Sequence, residues 1–133
     1  MAEGFETKRL PAEPTVVALD GSDVRVLLGL SRGTFAHFEL PAGAASRAVA
    51  HHTVEEIWYF VAGRGEMWRQ LDEQEEVVAV GAGVCITIPV GTRFQCRAVG
   101  TEPLAAIGVT MPLWPGPDEA YEVPGKWPAT VGD

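Results

Sequence analysis

The stretch Ala50-His51-His52-Thr53-Val54-Glu55-Glu56-Ile57-Trp58-Tyr59-Phe60-Val61-Ala62-Gly63 decides how the chain is read. Two histidines and two glutamates stand within six residues and lead directly into an apolar run that ends on a glycine. Successive side chains of a strand point to opposite sides. On an unbroken strand His52, Glu56, Trp58 and Phe60 therefore share one face, and His51 shares the other with Glu55. An imidazole and a carboxylate that converge inside a barrel can bind a divalent metal or exchange a proton with a bound molecule. Strand parity sends only His52 of the adjacent pair inward, unless a bend at Thr53 alters it.

Outward from this stretch, short apolar runs recur at 15–19, 24–30, 34–40, 56–62, 66–71, 75–80, 84–88, 93–99 and 104–111. The breaks between them carry turn residues, among them Asp20-Gly21, Gly63-Arg64-Gly65 and Pro89-Val90-Gly91. No window holds a 3.6-residue period over three turns. Regular short strands without helical linkers predict an all-β sandwich or barrel. From Pro112 onward five prolines stand among Trp114, Tyr121 and Trp127. Such a tail cannot be a helix or a central strand, but its aromatic residues bury well. The expectation is one domain over 1–133, with its core at about 15–111 and the tail 112–133 ordered across the barrel or a neighbouring subunit. The first dozen residues are expected to be loose.

Composition narrows the function classes. Hydrophobic residues make up 47% of the 133 and charged residues 21%, as in a globular chain. Eighteen acidic residues against ten Lys and Arg give a net charge of −8, which repels phosphate backbones and speaks against nucleic acid as a partner. No apolar run approaches the ~18 residues of a membrane span, and the N-terminal residues lack the apolar stretch of a signal peptide. A cytoplasmic setting follows, with Cys85 and Cys96 read as buried free thiols. Gly63-Arg64-Gly65-Glu66 lacks the helix and lysine of a phosphate loop and reads as a tight turn.

The spacing resembles the cupins, small jelly-roll barrels (double-stranded β-helices) with two short motifs. The first family motif reads G(x)5HxH(x)3–4E(x)6G. Glu56 and Gly63 match its second half, His52 takes the second histidine, and Ala50 stands where the first belongs. The second reads G(x)5PxG(x)2H(x)3N; Gly83, Pro89 and Gly91 match, with Phe94 in place of the histidine and Ala98 in place of the asparagine. The resemblance implies a cupin fold in which two of four metal ligands remain. His51 would be a third if the strand kinks there; His37 alternates to the face opposite Phe38 and Leu40 and reads as a surface or interface residue. Cys96, on the face of Phe94, is a soft ligand or core packing. Glu56 could instead pair with an arginine such as Arg69. The cofactor is then one divalent metal (Zn, Mn, Fe or Ni), or none.

With Trp58, Phe60, Phe94 and Cys96 facing inward, the resemblance implies an aromatic pocket for a small apolar or aromatic molecule; the alternative is that these residues only fill the barrel. Trp58, Trp68 and Trp114 favour a flat ligand. Two functions stay open: an isomerase, cyclase or dehydratase using His52 and Glu56, and a non-catalytic binding or sensing module. A metal-dependent dioxygenase is a third, weakened by the missing histidines. Family analogy further implies a homodimer paired through sheet edges.

Overall fold

The computed structural model describes residues 4–131, and every regular element in that range is a strand. In chain order these are β1 (Val16–Val17), β2 (Asp23–Leu30), β3 (Gly33–Leu40), β4 (Val49–His51), β5 (Glu55–Ala62), β6 (Arg64–Leu71), β7 (Gln74–Gly81), β8 (Cys85–Ile88), β9 (Arg93–Val99), β10 (Leu104–Met111) and β11 (Ala120–Glu122). They form a six-stranded sheet in the order β1-β2-β3-β10-β5-β8 and a five-stranded sheet in the order β11-β4-β9-β6-β7. All pairings are antiparallel. The crossed order of sequence and space is that of a jelly roll, as the turn spacing predicts. Among the described residues no helix is long and apolar enough to cross a membrane.

Alternation supplies the core. Along β5 the residues Glu56, Trp58 and Phe60 are buried while Ile57, Tyr59 and Val61 are exposed. The facing sheet adds Met67, Phe94, Cys96 and Ala98, and one apolar cluster joins the two layers. The hairpin after β5 depends on Gly63. Its φ of 78° lies in the left-handed region, and a Cβ there would meet the Pro103 carbonyl.

Three expectations change. The 15–19 run shrinks to the two residues of β1. The run from Ala50 to Gly63 is two strands, because β4 ends at His51 and β5 begins at Glu55. Cys85 is an exposed thiol, not a buried one, since it stands outward on β8; Cys96 is buried. Residues 4–14 form no regular element, and residues 1–3 and 132–133 of the expected domain lie outside the described residues.

The tail is held to the five-stranded sheet by a side chain that is 1% exposed, Gln95. Its Nε2 donates to the carbonyls of Ser46 and Trp127, both at 2.7 Å, and its Oε1 accepts from the N–H groups of Lys126 and Trp127, both at 2.9 Å. Thr130 adds a reciprocal pair of bonds to Ala45. The tail thus covers one sheet, and its short strand β11 adds to the edge of that sheet beside β4. Replacing Gln95 by Leu removes the partner of four backbone groups, the buried Ser46 carbonyl among them, and is expected to cost about 1–3 kcal/mol in urea unfolding. A loss under 0.5 kcal/mol would show that the tail docks without this clamp.

Candidate functional site

The break between β4 and β5 is built by an acidic side chain from the tail. Glu119 Oε2 accepts the N–H groups of Thr53 at 2.6 Å and Val54 at 2.9 Å, and Oε1 accepts the Thr53 hydroxyl at 2.7 Å. The Glu119 carbonyl takes the His52 N–H at 3.1 Å, and β11 continues alongside β4 with Ala120 opposite His51. Burial opposes ionisation of Glu119. The hydrogen bonds from Thr53 and Val54, with a further contribution from His51, outweigh it and hold the carboxyl below its ordinary range.

This bend resets the alternation. His51 turns inward and is 6% exposed, beside Glu56 at 4%. His52 turns outward, is exposed, and stacks on Tyr121 with ring centroids 4.3 Å apart. Unbroken parity therefore names the wrong histidine, and the bend at Thr53 is the geometry the chain adopts. A sequence signal for it exists. Counting four residues between histidine and glutamate places Gly43, His51, Glu56 and Gly63 together in the first motif, with Val49 at the first histidine position.

His51 Nδ1 lies 3.0 Å from Glu56 Oε2, off the line of a well-formed hydrogen bond. The other carboxylate oxygen accepts the indole N–H of Trp58 at 2.6 Å. Around the couple stand Phe94 and Trp114, their rings edge-on to His51 at 5.4 and 5.2 Å. Trp58 stacks on Phe38 at 4.8 Å and meets Phe60 and Phe94 at 6.0 Å each. An acid and a base in van der Waals reach, inside an apolar shell, can pass a proton between them and to a third group that enters.

A second feature of the barrel interior, not read from the sequence, shares Trp58 as a wall. Asp20, Ser22, Ser46 and Cys96 line a cavity of about 20 Å³ whose other walls include Phe38, Trp58 and Phe60. That is room for about one water. Asp20 Oδ1 accepts the N–H and hydroxyl of Ser22 at 2.9 and 2.6 Å. Burial pushes the Asp20 carboxyl up, against the hydrogen bonds from Ser22, and the charge of Glu56 pushes the same way. In sequence Asp20-Gly21 is only a turn, and nothing there signals that its carboxyl enters the barrel. Burial, with the charge of Asp20, pushes the Cys96 thiol up to about 12, so it remains a protonated core residue and not a thiolate ligand.

The expected pocket residues Trp58, Phe60, Phe94 and Cys96 are all buried in the core, but there they fill the barrel. Trp68 is elsewhere, outside the core cluster and bonded to Glu75. Arg69 does not meet Glu56; it bonds to Glu76 and the Thr87 carbonyl.

The donor set does not fit a metal. Among the described residues no group of three His, Cys, Asp or Glu side chains converges. Val49 and Phe94, at the positions of the missing histidines, are direct cross-strand partners, so one apolar pair occupies half of the family's ligand set. Glu56 already accepts the Trp58 N–H on one oxygen. A working site needs three or four ligands.

Two outcomes follow. The joint replacement Val49→His with Phe94→His is expected to retain one divalent ion per chain through dialysis, measured by elemental analysis, where the wild type retains none. Equal metal in both would contradict the assigned positions. The Glu119 carboxylate stabilises the fold above the ordinary glutamate pKa, and that contribution is lost as pH falls through its depressed value. Glu119→Gln is therefore expected to cost about 1–3 kcal/mol near pH 7, with the gap to wild type closing in acid. A gap that is constant with pH would contradict it.

A Cupin domain model matches residues 36–110, which takes in both motifs and runs from within β3 to within β10. A search of curated protein sequences gave no match. Solved structures with similar folds include a predicted oxalate decarboxylase from Thermotoga maritima, at 22% identity and a TM-score of 0.58 over 69% of this chain and 81% of that one. A double-stranded β-helix protein of Klebsiella pneumoniae is 15% identical, with a TM-score of 0.63 over 79% of this chain and 81% of the other. A Streptomyces PAC13 variant solved with uridine is 18% identical, with a TM-score of 0.64 over 79% and 80%. With its family model spanning more than half of the sequence, the chain belongs to the cupin domain family.

Proposed function

We propose that this cupin binds a small apolar or aromatic molecule and performs proton-transfer chemistry on it, as an isomerase, cyclase or dehydratase would. The observation that carries the reading is the 3.0 Å approach of His51 Nδ1 to Glu56 Oε2 inside an aromatic shell. His51 takes the part that strand parity gives to His52. One group removes a proton from the bound molecule while the other returns it at a second atom, and no metal is needed for either transfer. The indole N–H of Trp58 donates to one Glu56 oxygen and so orients the carboxylate. One of the similar barrels was solved with uridine, and a flat ring of that kind suits walls made of Trp58, Phe94 and Trp114.

Entry requires motion, because both members of the couple are buried. Trp114 is the cover: it sits edge-on to His51 at 5.2 Å, is 37% exposed, and donates its N–H to the Thr34 hydroxyl at 3.1 Å. A net charge of −8 and free thiols suit a reducing cytoplasm. The filled barrel favours a second reading, a binding module without turnover.

A panel of ring-shaped enones, hydroxy-ketones and nucleosides, assayed for isomerised or dehydrated product, tests both. His51→Ala and Glu56→Gln are each expected to lower turnover by about 10²–10⁴, with His52→Ala within twofold of wild type. Trp114→Ala is expected to raise the association rate. Loss of turnover in His52→Ala with none in His51→Ala would overturn the assignment. Binding without product, unchanged in Glu56→Gln, would establish the binding module instead.

A further inference from the structure

The small cavity beside Trp58 presents an uneven set of hydrogen-bonding groups. Asp20, Ser22, Ser46 and Cys96 line it among the rings of Phe38, Trp58 and Phe60. Both hydroxyl protons are already spent. Ser22 gives its proton to Asp20 Oδ1 at 2.6 Å, and Ser46 gives its own to the Arg47 carbonyl at 3.0 Å. The Cys96 N–H reaches the Ser46 hydroxyl oxygen at 3.1 Å, which leaves that oxygen one more lone pair. The side chains therefore offer a guest acceptors, a carboxyl and two hydroxyl oxygens, against one thiol as a weak donor.

Charge points the same way. Among the described residues Asp20 enters no ion pair. Arg47 donates its backbone N–H to the Asp20 carbonyl at 2.8 Å and its guanidinium to the Leu19 carbonyl at 3.3 Å, which fixes the backbone of the turn. Burial raises the Asp20 pKa against the bonds from Ser22; the charge of Glu56 adds to the rise, and His51 opposes it. The Cys96 thiol is held protonated beside it. Glu39, a second carboxylate in the walls, pairs with Arg25 at 3.3 Å. His37, next to Phe38 on β3, is buried and not at the surface, but it is not one of the walls.

We propose that this cavity binds a primary ammonium head group, with Asp20, Ser22 and Ser46 as the acceptors of its N–H bonds. Such a group carries three donors and no acceptor, the complement of these walls. It is about the size of a water molecule, and the cavity of about 20 Å³ has room for one. The rings of Phe38, Trp58 and Phe60 add the attraction of aromatic walls for a cation. Water in the same place would leave the carboxylate without a counter-charge, and an anion would be repelled by Asp20 and Glu39. The net charge of −8 favours the approach of a cation. Neither His51 nor Glu56 lines the cavity, so the inference is independent of the chemistry proposed for them.

Titration of the isotope-labelled protein with ethylammonium chloride tests it by NMR. The reporters are the amides of Ser22 and Cys96, which donate to Asp20 Oδ1 and to the Ser46 hydroxyl oxygen. Saturable shifts are expected at both, with a Kd in the millimolar range or below. Ethanol, of similar size but uncharged, is expected to leave them in place. Asp20→Asn keeps an acceptor for Ser22 but loses the charge, and is expected to weaken binding by about tenfold or more. Should that variant misfold, the wild type still decides: affinity is expected to rise between about pH 4 and pH 7, because a proton held by Asp20 has to leave before the cation enters. Ammonium chloride separates the sources of the head group. Tighter binding of ethylammonium identifies an organic amine, and tighter binding of ammonium identifies the free ion. No saturable shift at Ser22, equal shifts with ethanol or potassium chloride, or an affinity independent of pH overturns the proposal.

Discussion

A single carboxylate holds the arrangement together. Glu119 reaches from the tail to take the backbone N–H groups of Thr53 and Val54 and the Thr53 hydroxyl, and so fixes a three-residue bend between β4 and β5. Without it those donors would need other partners, and the simplest alternative is a strand continuing from β4 into β5. Continuation by one register flips every preceding side chain to the other face. His51 would leave Glu56 and His52 would replace it. The same segment that carries Glu119 carries Trp114, so the contact that sets the histidine also positions its cover.

The interior shows what becomes of a ligand set when half of it turns apolar. Val49 and Phe94 face each other across β4 and β9, where two histidines would have flanked a cation. Removing two imidazoles but keeping a buried carboxylate would leave that carboxylate costly to hold. Glu56 is instead compensated by the Trp58 N–H on one oxygen and by His51 beside the other. What remains is a couple suited to moving a proton, enclosed by rings that exclude water. Asp20, beside Trp58 in the walls of a small cavity, is a second acidic group in the same barrel, and burial raises its pKa.

The barrel was legible in the sequence because its determinants are local. Alternation in 56–62 and the left-handed glycine at 63 can be read from neighbouring residues alone. The inward set Glu56, Trp58 and Phe60 follows from the same alternation. The histidine was not legible by parity, because the deciding contact comes from Glu119, more than sixty residues away. The motif with four intervening residues, anchored on Gly43, would have found it. Asp20 was hidden for the converse reason: a turn residue gives no sign of which way its side chain enters a barrel. Cys85 was misread because an apolar run on an edge strand looks like a core strand until its outer face is known to be bare.

The central claim is that His51, not His52, is the histidine enclosed with Glu56. Carbethoxylation of the native protein, read residue by residue by mass spectrometry, tests it directly. The account predicts rapid modification of His52, protection of His51, and loss of that protection in Glu119→Ala. Rapid modification of His51 beside a protected His52 in the wild type would contradict it.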